Sequence, residues 1–286
     1  MEVLLGRDDL NPDKASQSGE APILCAAKNG HKRVVEVLFR RDDVNPNKPD
    51  VYGQTPLWWA AKNGHEDVVE ILLGRSDVSP DKPNQYGETP LWWAAMNGGV
   101  GVMNVLLGRD DVNPNKPDSH GRTPLCFSAE NGHEKIIKIL LRREDINPNI
   151  PDISKRTPLW CASKKGRDGV VKILLERDDV NPNRADSDGR TPLRCAAENG
   201  HEGVVKVLLG RDDVKPDKSD AYGRTPLWCA AKNGHERVVK TLLRRDDVNP
   251  EKPNFFGGTP LLCAIANGHK RVAEMLLWQD DTNPIN

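Results

Sequence analysis

Residues 53–65 read Gly-Gln-Thr-Pro-Leu-Trp-Trp-Ala-Ala-Lys-Asn-Gly-His. Thr55 can cap a helix, because its hydroxyl accepts a free backbone N–H of the first turn. Pro56 takes the first helical position, where its missing donor costs nothing. An Ala-rich run continues to Lys62, and Asn63-Gly64 stops it, Gly64 being free to turn left-handed. His65-Glu66 opens a second helix, in which Val68, Val69, Leu72 and Leu73 recur at three- and four-residue spacing as one apolar stripe. Residues 75–83, Arg-Ser-Asp-Val-Ser-Pro-Asp-Lys-Pro, cannot be helical; with Gly87 they predict an extended loop and a tight hairpin turn.

The unit recurs. Thr-Pro-Leu begins at Thr55, Thr89, Thr123, Thr157, Thr191, Thr225 and Thr259, always 34 residues apart, and Ala21-Pro22-Ile23 extends the series back once. A second series runs through Pro12, Pro46, Pro80, Pro114, Pro148, Pro182, Pro216, Pro250 and Pro284. Pro49, Pro83, Pro117, Pro151 and Pro253 share one further place, so all 22 prolines obey the period. This gives one repeat domain over 1–286: a partial leading repeat, 1–15, then repeats starting near 16, 50, 84, 118, 152, 186, 220 and 254. Neither helix can bury its stripe alone, and stacking the next unit buries both. A hydrophobic fraction of 37% and a mean hydropathy of −0.63 suit a one-layer array better than one compact core. Tetratricopeptide repeats share the period but join their helices by tight turns; here a loop of about fourteen residues with two prolines intervenes.

The pattern Gly-x-Thr-Pro-Leu-x-x-Ala-Ala-x-x-Gly-His, then Val-Val-x-x-Leu-Leu, resembles the ankyrin repeat. It stands at Gly53 to His65 with Val68 to Leu73, and at Gly223 to His235 with Val238 to Leu243. The resemblance implies an all-α solenoid of helix-turn-helix units with hairpin loops, a curved one-layer array. The repeat is one residue longer than usual, and its hairpin reads Arg-Asp-Asp-Val-Asn-Pro-Asn-Lys-Pro-Asp. That variant resembles arrays common in filamentous fungi, often at the C-terminal end of large nucleotide-binding receptor-like proteins; no nucleotide-binding segment is present here. The family implies a non-catalytic scaffold that binds protein on a concave face of hairpin tips and first helices, with no cofactor.

Aligning the chain with itself separates scaffold from variable slots. The two slots after Thr-Pro-Leu hold Leu24-Cys25, Trp58-Trp59, Trp92-Trp93, Cys126-Phe127, Trp160-Cys161, Arg194-Cys195, Trp228-Cys229 and Leu262-Cys263. Leu57 and Ala61 share the buried face, and Trp58 is turned about 100° from it, beside Lys62. Two readings follow for Trp58, Trp92, Trp160 and Trp228: partly exposed binding residues, or core between repeats. Trp59 and Trp93 read as core. Arg122, Arg156, Arg190 and Arg224 form a row before Thr-Pro, and Arg194 joins them as a candidate. They suit a partner with acidic and apolar features, or they stack on neighbouring rings. Tyr52, Tyr86, Tyr222, Phe255 and Phe256 stand at loop tips as interaction candidates.

Other chemistry is disfavoured. Against 42 acidic residues stand 41 basic ones, a net charge of −1, so the chain has no electrostatic footprint for nucleic acid or an anionic membrane. No apolar run approaches a membrane span or a signal peptide, and a cytoplasmic protein is expected. Six of seven histidines sit at one scaffold slot a repeat apart, which suits helix opening and not metal binding. Five of six cysteines share a slot about 10 Å from its neighbours, too far for disulfides, so buried free thiols are expected. The recurring Arg-Asp-Asp fails the EF-hand register and reads as loop salt bridges. No phosphate loop or catalytic triad is present.

Three irregularities carry expectations. Gly98-Gly99-Val100-Gly101 should soften the second helix of repeat three, each helical glycine costing about 1 kcal/mol against Ala. Repeat five has Lys155 where the hairpin glycine belongs, a strained position if φ is positive, and Arg167 in place of His. Neither end reads as capped: the chain opens within a second helix at Val3-Leu4-Leu5 and stops in a loop, and repeat eight shows Met275 and Trp278. A fragment of a longer array is expected, a monomer with self-association through its ends left open.

Overall fold

The computed structural model describes residues 11–278. The leading helix read at Val3-Leu4-Leu5, Pro284 and the final loop lie outside them. Sixteen helices occur among the described residues, two per repeat. They are α1 Pro22–Lys28 and α2 Lys32–Leu38; α3 Pro56–Asn63 and α4 Glu66–Leu73; α5 Pro90–Asn97 and α6 Val100–Leu107; α7 Pro124–Asn131 and α8 Glu134–Leu141. Then come α9 Pro158–Lys164 and α10 Asp168–Leu175; α11 Pro192–Glu198 and α12 Glu202–Leu209; α13 Pro226–Lys232 and α14 Glu236–Leu242; α15 Pro260–Ala266 and α16 Lys270–Leu277. The described residues contain no strand, so the fold is all-α. The chain forms two compact units. Unit one runs to Ser128 and includes Lys135–Asn147; unit two takes Ala129–Glu134 and continues from Pro148.

Local chemistry sets each first helix. Thr55 Oγ1 accepts Trp58 N–H at 3.1 Å, Thr157 does the same for Trp160, and Thr225 for Trp228. Ala21 stands in the cap position of repeat one and supplies no such bond. Gly64 closes α3 with φ 75°, in the left-handed region. The expected strain at the hairpin of repeat five is present: Lys155 has φ 62°, the only positive-φ non-glycine among the described residues.

Stacking buries the apolar stripes. Within unit one, Leu57, Val68, Val69 and Leu72 have 1% exposure or less, and Leu193, Val204, Val205 and Leu208 match them in unit two. Each such side chain contributes about 1.5–3 kcal/mol relative to exposure.

The loops add a second, polar stack. In the described loops the arginine forks onto the aspartate two residues on, as Arg109 Nε and Nη2 do on Asp111 at 2.8 and 2.7 Å and Arg75 does on Asp77. That contact holds the Asp77 carboxyl below the usual range, and Arg177 does the same to Asp179. Arg109 also reaches back to the Leu73 carbonyl of the preceding repeat at 3.1 Å. Asn47 Nδ2 donates forward to the Asp77 carbonyl at 2.6 Å, and Asn183 repeats this on Asp213. The loop salt bridges expected of Arg-Asp-Asp are therefore the observed structure.

Candidate protein-binding face

The hairpin tips are fixed by a slot that the sequence reading passed over. Asp50 Oδ1 accepts the backbone N–H groups of Tyr52 and Gln54, both at 2.9 Å, so one buried carboxylate closes the turn. Asn84, Asp118, Asp152, Asp186, Asp220 and Asn254 do the same in their repeats. The signal was available: the slot is Asp or Asn in all seven repeats from the second onward. Adjacent tips are joined by one backbone bond, Gln85 N to Tyr52 O at 3.0 Å in unit one and Phe255 N to Tyr222 O at 3.1 Å in unit two.

This frame holds rings outward. Tyr52, Tyr86 and Tyr222 are 54%, 53% and 52% exposed, and Phe255 and Phe256 reach 75% and 82%. All five tip aromatics named from sequence are accessible. The Phe255 ring rests where a side chain on Gly223 would stand, 2.6 Å from an added Cβ, which is why that tip needs glycine beyond its φ of 79°.

The first-slot tryptophans follow the core alternative of the two sequence readings. Trp58, Trp92, Trp160 and Trp228 are buried, none more than 6% exposed, so the partly exposed reading is corrected. Turning 100° from Leu57 does place Trp58 beside Lys62, at 4.8 Å from the ring centroid. What lies in that direction is the next repeat, not solvent. Trp58 Nε1 donates to the Glu88 carbonyl at 3.0 Å, Trp160 to Arg190 at 2.9 Å and Trp228 to Gly258 at 2.8 Å. Trp92 Nε1 has no partner; the Phe127 ring lies 4.2 Å from its own. Trp59 and Trp93, expected in the core, are half-buried. They face back to the preceding repeat, where Lys28 caps the Trp59 ring at 4.2 Å and Lys62 the Trp93 ring at 4.1 Å.

The arginine row is half-exposed and engaged. Arg156 pairs with Asp152 at 2.6 Å, Arg190 with Asp186 at 2.7 Å, Arg224 with Asp220 at 2.7 Å and Arg122 with Asp118 at 2.7 Å. Arg122 also lies 4.3 Å over Phe127, and Arg224 lies 4.7 Å over Tyr222. The stacking alternative describes these contacts. Arg194 is a second correction: it fills the tryptophan slot of repeat six with 1% exposure and cannot touch a partner. Its Nη2 meets Asp220 at 3.0 Å and its Nη1 meets Glu198 at 2.9 Å, while Nε is buried without a partner. Burial pushes the Asp220 carboxyl up, but hydrogen bonds from Arg224 and the turn, with the Arg194 charge, outweigh it and leave the pKa lowered.

Histidine and cysteine are scaffold. His65 Nε2 lies 3.1 Å from the Lys28 carbonyl, and its ring packs on Gly30, where a Cβ would come within 2.7 Å. Arg167 takes over this task in repeat five: its Nε donates to Glu130 O at 3.2 Å and its stem covers Gly132. Cys195 and Cys229 are buried, and burial pushes both thiols up to about 12. Cys25, Cys161 and Cys263 are only half-buried, less than expected. No group of three or more metal-ligating side chains converges among the described residues. No described helix is long and apolar enough to cross a membrane.

A family model for ankyrin repeats in three copies matches residues 1–84, 73–152, 143–220 and 210–286. The chain belongs to the ankyrin-repeat family. Ankyrin repeats are generally protein–protein interaction modules, and proteins built from them are typically non-enzymatic scaffolds. Among curated proteins none matches the chain.

Proposed function

We propose that this ankyrin-repeat chain is a non-catalytic scaffold that binds a partner protein through its hairpin tips and the open sides of its first helices. One observation carries the reading: Tyr52, Tyr86, Tyr222, Phe255 and Phe256 project into solvent from turns locked by buried Asp50, Asn84 and Asp220 and half-buried Asn254. A ring held this way gives contact area with little ordering cost on binding. The half-exposed Trp59 and Trp93 extend that surface in unit one. The buried Trp58, Trp92, Trp160, Trp228 and Arg194 support it from within and leave the contact set. A cytoplasmic, receptor-associated role of the fungal type is the setting we infer from the repeat variant alone.

Changing the five tip aromatics to Ser tests this. Immobilised wild-type protein should retain a partner that the variant loses, with circular dichroism unchanged. Equal capture by a folded variant would overturn it. Self-association is a second reading, supported by Leu262, Ile265, Leu277 and Trp278 of repeat eight, each at least 55% exposed. A mass that stays monomeric across concentration in light scattering would remove it.

A further inference from the structure

We propose that the tip-and-first-helix surface of unit two takes an extended protein segment with two carboxylates about six residues apart, held by Lys164 and Lys232. The inference rests on the protein-binding reading and names the chemistry of the partner.

Two kinds of cation stand on this surface. Arg156, Arg190 and Arg224 are each neutralised by a buried aspartate, so an incoming carboxylate would have to displace an internal partner. Lys155, Lys164 and Lys232 are exposed and have no carboxylate partner among the described residues. Two of the three are positioned. Lys164 Nζ stands 5.2 Å from the Trp160 ring centroid and Lys232 Nζ 5.5 Å from that of Trp228, so buried indoles hold two unpaired ammonium groups at the surface.

Spacing gives the ligand its shape. Lys164 and Lys232 occupy the same slot two repeats apart. Helices pack about 10 Å from their neighbours, so two junctions span about 20 Å. An extended chain rises about 3.3 Å per residue, and about six residues cover that span. Between the lysines the same slot holds Glu198, tied to Arg194 at 2.9 Å. The middle of the segment must therefore be free of acid. Exposed Asp188 imposes the same restriction along the tips. A nucleic-acid strand, with an evenly spaced negative backbone, would meet both carboxylates and suits the surface less well.

Fluorescence anisotropy on the full chain reads the proposal, using a labelled twelve-residue Gly/Ser peptide with two Glu six positions apart. A peptide with adjacent Glu, one with Lys for Glu and a single-stranded DNA 12-mer serve as comparators. The spaced peptide should bind at least tenfold tighter than all three, with affinity falling as salt rises. The variant K164A/K232A should lose that advantage while keeping its circular dichroism. Equal binding of both Glu spacings, an unchanged affinity in K164A/K232A, or preference for the DNA would each overturn it. Loss of partner capture in the tip variant, with K164A/K232A unchanged in both assays, would sink this inference and leave the protein-binding reading standing.

Discussion

Asp81 occupies the loop slot that Asn47, Asn115, Asn149 and Asn183 fill elsewhere. Those asparagines donate to the next loop carbonyl at 2.6–2.7 Å. Asp81 has no such hydrogen, and its Oδ1 is buried without a partner. Burial pushes its carboxyl up, outweighing the Asn113 N–H and the Lys116 charge. Asp81→Asn should therefore stabilise the protein at neutral pH by about 1 kcal/mol in urea unfolding. A raised carboxyl binds its proton more readily when folded, so the wild-type deficit should shrink as pH falls through the folded pKa. A variant no more stable than wild type would contradict this. Asp220 has the opposite sign. Its carboxyl is lowered, so its contribution is present above the unfolded value of about 3.9 and is lost as pH falls through the lower folded value. Asp220→Asn removes one of the two carboxylates that neutralise buried Arg194, leaving Glu198, and should cost about 1.5–3 kcal/mol at pH 7 but much less at strongly acid pH. An equal cost at both would refute the ion pair. Legibility at this scale follows range. The Thr caps and the strain at Lys155 were readable because they depend on neighbours in sequence. Trp58 was not, because a helical angle gives a direction and not what stands there.

Element by element, the helices were legible because capping, glycine stops and apolar spacing agree within each unit. The exceptions show substitution of parts. Arg167 serves as His65 does, by reaching a carbonyl in the last turn of the preceding first helix. The task at that slot is contact with the carbonyl and cover of the glycine, which a guanidinium also provides. Helix α6 keeps its place despite Gly101 because Val102, Met103 and Leu106 remain buried. The nearest atoms to a Cβ on Gly101 belong to the end of the Glu66 side chain, which can move aside. Hydrogen exchange should be faster at residues 99–105 than in the matching segments of repeats two, four and seven, whose second helices lack a glycine at that slot. Gly101→Ala should slow it, corresponding to about 1 kcal/mol. Faster exchange in the second helix of repeat two, four or seven would count against the glycine argument.

For the whole molecule, the 34-residue period made the array legible before any contact was known, since stacking is the only way each unit can cover its stripe. The binding surface was legible in part. Tip aromatics could be placed outside because a turn has no neighbour beyond it. The variable tryptophans could not, because a large ring next to a repeat junction serves either side. The aromatic residues fall into two rows, one that joins repeats and one that is proposed to meet a partner. Hydroxyl-radical footprinting read by mass spectrometry tests that division on native protein. Tyr52, Tyr86, Tyr222, Phe255 and Phe256 should be oxidised rapidly, while Trp58, Trp92, Trp160 and Trp228 stay protected until unfolding. Oxidation of those four tryptophans as fast as the tip rings would contradict it.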